Sequence, residues 1–96
     1  YLNPVLVLSL SAGNAQHPKG SAAVKELFDA GGALRGWAVM VKQRDDIADG
    51  TAWYWYETDR GVTRADNPNY AGDGRGACVE CHGEGKGFIR IPFPLR

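Results

Sequence analysis

Trp53-Tyr54-Trp55-Tyr56-Glu57 and, ahead of it, Trp37-Ala38-Val39-Met40-Val41-Lys42 decide the fold class. Both stretches are rich in aromatic and β-branched residues, which suit a pleated, half-buried surface. Side chains alternate across a strand, so Trp53 and Trp55 face one way and Tyr54 and Tyr56 the other. Strands are expected over Trp37–Lys42 and Ala52–Glu57, with Asp45-Asp46 and Asp49-Gly50 marking the reversal between them. Ala22 to Phe28 reads as an earlier strand. Val24, Glu26 and Phe28 share one of its faces, and Ala23, Lys25 and Leu27 share the other. Gly31-Gly32 separates it from the next strand, and such short connections favour antiparallel pairing. The expectation is a mainly β chain: a small antiparallel meander with one or two short helices.

Upstream, Asn3-Pro4 has the chemistry of a helix start, since Asn caps free amides and Pro is tolerated at the first helical position. Val5, Leu6, Leu8 and Leu10 would form a short, largely buried helix that Gly13-Asn14 ends. The β-branched valines leave a strand open as the alternative. His17-Pro18-Lys19-Gly20 is turn chemistry and places His17 on a surface turn. Downstream, Gly61 to Ala77 is rich in Gly, Asp, Asn and Arg and reads as a long loop of functional length. After Gly83, Gly85 and Gly87, the run Phe88 to Pro94 reads as a last short strand closed by prolines.

The 96 residues suffice for one domain, 1–96, with no internal repeat or boundary. A chain this short buries only about three-fifths of its unfolded surface and profits from a bound apolar body. Basic and acidic residues balance at eleven each, which argues against a nucleic-acid partner. Leu6 to Leu10 is too short to span a bilayer, so the chain is not expected to be membrane-spanning. It begins at Tyr1 with no complete signal peptide, and is expected to be processed or incomplete.

The chemistry concentrates in Cys78-Val79-Glu80-Cys81-His82, which contains both cysteines of the chain. The pattern reads as a covalent attachment site for one c-type haem. Each sulfur adds to one vinyl group, and His82 binds the iron from one side. Cofactor-binding residues are therefore Cys78, Cys81 and His82, with His82 the metal ligand. A redox dithiol would want a βαβ context. Zinc would need four ligands, and His82 is poorly placed beside Cys81 to share one ion with it. A disulfide closing so short a loop removes little unfolded-state entropy. For a second iron ligand the chain offers Met40 and His17, but core packing suits the first and a surface turn the second. The tryptophans and tyrosines suit core and haem packing. Phe88 or Phe93 could cap the distal face, and Arg75 or Arg90 could pair with propionates. Haem of this type is attached outside the cytoplasm, so a periplasmic or other extracytoplasmic location is expected.

The order of features resembles a known family. Tyr1-Leu2-Asn3-Pro4, His17-Pro18-Lys19-Gly20-Ser21-Ala22-Ala23-Val24-Lys25-Glu26-Leu27, Gly36-Trp37-Ala38-Val39-Met40-Val41-Lys42, Trp53-Tyr54-Trp55-Tyr56 and the terminal Cys78–His82 motif carry the likeness over nearly the whole chain. The chain resembles the cytochrome P-460 family, which includes the β-sheet cytochromes c′ (cytochrome c′-beta). The resemblance implies an antiparallel β protein, often a homodimer, with an open or water-filled distal side. Members similar to cytochrome P-460 proper oxidise hydroxylamine, in the presence of nitric oxide, towards nitrous oxide. Their haem carries an extra link from a lysine nitrogen, and the motif-matched position is Lys25. A strand lysine is otherwise a solvated edge charge. The cytochrome c′-beta members lack the link and bind nitric oxide or carbon monoxide in an apolar pocket. The resemblance also implies a redox partner protein, and further chain ahead of Tyr1. Two departures stand out: Gly87 precedes Phe88 where members tend to carry an acid, and Ala38 stands near the position of a distal carboxylate. Two functions follow: an open haem site for hydroxylamine and nitric oxide chemistry, or an electron-transfer or gas-binding haem protein without catalysis.

Overall fold

The structure is a computed structural model that describes residues 1–47, 49–58, 70–74, 76–83 and 89. Helix α1 spans Pro4–Ser11. It is followed by β1 (Ala22–Phe28), β2 (Leu34–Lys42), a 3₁₀ turn (Gly50–Ala52), β3 (Trp53–Thr58), β4 (Tyr70–Asp73) and α2 (Gly76–His82). The strands form one antiparallel sheet in the order β1-β2-β3-β4. The mainly β meander with two short helices is thus present.

Asn3 decides the start of the chain. Its Oδ1 accepts the Leu6 amide at 3.1 Å, capping α1, and also the Ala22 amide at 3.0 Å. Its Nδ2 donates to the Gly20 carbonyl at 2.7 Å. One side chain therefore fixes both the helix start and the approach to β1. Pro4 follows where its missing N–H is harmless. Gly13 ends the helix with φ at 72°, a conformation that favours glycine. The strand alternative for this stretch is set aside. Leu6 is fully buried, whereas Leu8 points to solvent.

β2 is longer than the sequence suggested, because Leu34 and Gly36 also pair with β1 on either side of a register shift at Leu27/Phe28. Asp29 organises the connecting turn by accepting the Gly31 and Ala33 amides, each at 2.9 Å. Ala52 belongs to the 3₁₀ turn rather than to β3.

Two expectations are corrected. The segment 61–77 is not loop throughout: Tyr70–Asp73 pairs with Tyr54–Glu57 of β3, and α2 begins at Gly76. Tyr-Ala-Gly-Asp has no strand pattern of its own, so the free edge of β3 supplies what local propensity lacks. His17 is not on the surface. It is 2% exposed, with Nδ1 2.8 Å from Ser9 Oγ. Turn residues report that the chain reverses, but not which side chain turns inward. The expected strand at Phe88–Pro94 lies outside the described residues apart from Ile89, which is buried in the core.

The register assigns the two faces of the sheet. Ala23, Met40, Trp55 and Gly72 form one row across all four strands, and the core lies on their side. Leu6 of α1, Ala52, Trp53 and Ile89 complete that core, with Cys78 and Val79 of α2 packed against it. Met40 is a core residue, in keeping with its strand position. Val24, Val39, Tyr56 and their neighbours are on the opposite face. Among the described residues, no helix is long and apolar enough to cross a membrane.

Candidate cofactor site

The site is built on α2. Cys78 and Cys81 stand three residues apart on one helix, close to a single turn, so both side chains lie on the same side of it. Both are thiols; Cys78 is half-buried and Cys81 is exposed. His82 occupies the last turn, and the Gly83 amide closes the helix onto the Val79 carbonyl at 2.8 Å.

Two contacts fix this helix on the sheet. The first is Val79 against Gly50. A methyl group at Gly50 would stand 2.5 Å from Val79 Cγ1 and 3.0 Å from its Cβ, so only glycine lets α2 come this close. The second is His82 against Trp55. Their ring centroids lie 4.9 Å apart at an interplanar angle of 55°, within the favoured range for aromatic pairs. Trp55 is itself held by its indole N–H, which donates to the Gly50 carbonyl at 3.3 Å. Gly50 thus serves twice: its lack of a side chain admits Val79, and its carbonyl anchors the ring beneath His82. Asp49 caps this turn and accepts the Thr51 amide at 2.8 Å. The Thr51 hydroxyl and then the Thr51 amide hold the Asp49 carboxyl below the ordinary carboxylate range.

Next to the Ala23–Met40–Trp55 row on the same face comes Lys25–Ala38–Glu57. Lys25 is exposed, while Ala38 and Glu57 are half-buried. The rows are about 6.6 Å apart along the strands, and Lys25 stands two strands over from Glu57, roughly 10 Å. Lys25 therefore shares the face that carries His82. Glu26 is on the opposite face, as its alternation requires. Glu57 is a carboxylate that the sequence reading passed over. Its parity with Trp53 and Trp55 was visible, but its place opposite Ala38 needed the β2–β3 register.

Three potential haem-binding side chains therefore stand together at this end of the sheet. The two thiols are one turn apart on a surface helix, the imidazole follows on the sheet side, and β2 carries small residues, Gly36 and Ala38, along the neighbouring face. Among the described residues no three His, Cys, Asp or Glu side chains converge as a metal-binding group, as zinc would require. The described strands are all antiparallel, so they supply no thioredoxin-like βαβ unit. Arg75, Arg90, Phe88 and Phe93 lie outside the described residues. His17 is separated from this site by role, being engaged with Ser9 beside α1. No family model matches the chain, and neither does any curated protein or solved structure.

Proposed function

We propose that this chain is a mono-haem c-type cytochrome with an open distal site for hydroxylamine and nitric oxide chemistry. The observation that carries the reading is the juxtaposition on α2: Cys78 and Cys81 one turn apart, with the next residue, His82, packed at a tilt against the core tryptophan Trp55. The thiols would add to two vinyl groups and form thioethers, and His82 would hold the iron from one side. Trp55 restricts the imidazole plane. When bound, such a haem supplies the electron chemistry and an open coordination position.

The remaining roles fall to the sheet. Lys25 lies on the same face and has a stem long enough to search the neighbouring surface, which is the setting a link to the macrocycle would need. Oxidation of hydroxylamine releases protons, and Glu57 is the half-buried carboxylate of that row, opposite Ala38. It can accept a proton there and pass it to solvent. A second reading, gas binding or electron transfer without catalysis, is favoured by Ala38, which stands near the position where some hydroxylamine oxidisers of the resembling family carry a carboxylate. In either reading the partners are small nitrogen ligands and a redox protein, the location is extracytoplasmic, and a homodimer or larger assembly is the natural state.

Visible absorption of the purified protein tests the proposal. A c-type spectrum that changes on adding nitric oxide or carbon monoxide is the expected result. Protein without covalent haem, or a low-spin spectrum indifferent to both gases, refutes it. Mass spectrometry of a haem peptide joined to the Lys25 peptide tests the link, and an unchanged spectrum in Lys25→Ala removes it. Hydroxylamine turnover by the unaltered protein separates the two readings, and Glu57→Gln then tests the proton acceptor. Lost turnover in that variant with intact nitric oxide binding supports the role; unaltered turnover dismisses Glu57 as the proton acceptor.

A further inference from the structure

A cleft of about 300 Å3 opens between the α1–β1 connection and the segment leaving β2, lined by Asn14, Gln16, His17, Lys42, Asp45 and Ile47. His17 in its wall is engaged by Ser9. Lys42 is different. It is 3% exposed, and its backbone is paired with Gly20 and Ser21. Among the described residues its amino group has no hydrogen bond or ion pair; it faces the Trp53 ring, 5.6 Å from the centroid. A cation on a side chain this enclosed is ordinarily paired or hydrogen-bonded, and a π face supplies only part of that stabilisation.

Lys42's neighbours add to the imbalance. Trp53 is its cross-strand partner and Ser21 accepts its amide, yet the buried Trp53 Nε1 and Ser21 Oγ have no hydrogen-bond partner. The Lys42 ammonium and the Trp53 indole N–H are both donors without an acceptor among the described residues. The charged group facing Lys42 across the cleft is Asp45, which is exposed and accepts the Lys19 amide. A ligand in the cleft has that carboxylate as well as Lys42 in its lining, so one negative charge suits the cleft better than two.

We propose that this cleft is a binding site for a small monocarboxylate, with Lys42 as the anchoring cation. The site is independent of the chemistry assigned to α2. Titrating the ¹⁵N-labelled full chain with sodium acetate, at an ionic strength held constant with sodium chloride, tests it. The expected result is a saturable shift of the Trp53 indole resonance. Lys42→Met should weaken acetate binding roughly ten-fold or more, as loss of a charge-assisted hydrogen bond would. Lys42→Arg keeps the charge and should retain binding. No saturable shift in the unaltered chain overturns the proposal, whether or not the variants fold. Equal affinity in a folded Lys42→Met protein does the same, and inorganic phosphate binding more tightly than acetate overturns the monocarboxylate assignment.

Discussion

Gly50→Ala offers the sharpest test of how α2 is seated. The added methyl would stand 2.5 Å from Val79 Cγ1 and 3.0 Å from Val79 Cβ. Rotating Val79 moves its methyls but leaves its Cβ in place, so the helix itself must retreat by several tenths of an ångström. Overpacking of this kind costs about 1–3 kcal/mol. Gly50 does not lie at positive φ, so alanine also removes unfolded-state freedom and returns about 0.4–1 kcal/mol. The net expectation is a loss of roughly 0.5–2 kcal/mol. Urea unfolding followed by tryptophan fluorescence measures it, since Trp53 and Trp55 lie beside the contact. Val79→Ala removes both offending methyls, so the double variant should lose less than the sum of the single losses. A Gly50→Ala protein as stable as its parent, or strictly additive energies in the double variant, would refute the close approach. Because the Gly50 carbonyl also accepts from Trp55, the same substitution should perturb the His82 ring signals.

Three other outcomes are expected. Trp55→Phe keeps most of the packing but loses the bond to Gly50; it should cost about 1 kcal/mol and shift the His82 ring resonances, and unmoved resonances would count against the Trp55–His82 ring contact. Leu6→Ala should destabilise by about 2–5 kcal/mol in the same urea assay, because Leu6 is wholly buried; a smaller loss would mean that α1 packs loosely. Thr51→Val should raise the Asp49 carboxyl towards its ordinary value, as read by carboxyl NMR titration. The Asp49 contribution is present above its unfolded pKa and is lost as pH falls through the depressed folded value, so the variant should lose less stability on acidification.

The strands and their faces were legible because alternation is a local property. Trp53, Trp55, Lys25 and Glu26 all stand on the sides that parity assigns them. The Asn3-Pro4 start and Gly13 end of α1 were legible for the same reason, since capping needs only neighbours. What eluded the sequence was pairing at a distance. Tyr70–Asp73 becomes a strand only because β3 offers an edge, and Glu57 meets Ala38 only through the β2–β3 register. Burial eluded it too: His17 reads as a surface-turn residue, yet it is enclosed. In the site, Cys78, Cys81 and His82 were marked by spacing alone. Their support by Gly50 and Trp55 left no trace in the motif, because Asp49-Gly50 reads only as a reversal.

The margins of the sheet bear on how copies of this chain could associate. Leu2 pairs with Ala23, and Tyr1 exchanges backbone hydrogen bonds with Val24, so the first half of the β1 edge is already occupied. Lys25 and Glu26 place charge on the remainder, and β4 at the other margin is only four residues long. Such blunted rims discourage one molecule from extending another's ladder. Among the described residues, both borders favour a dimer that forms face to face over one that continues the ladder.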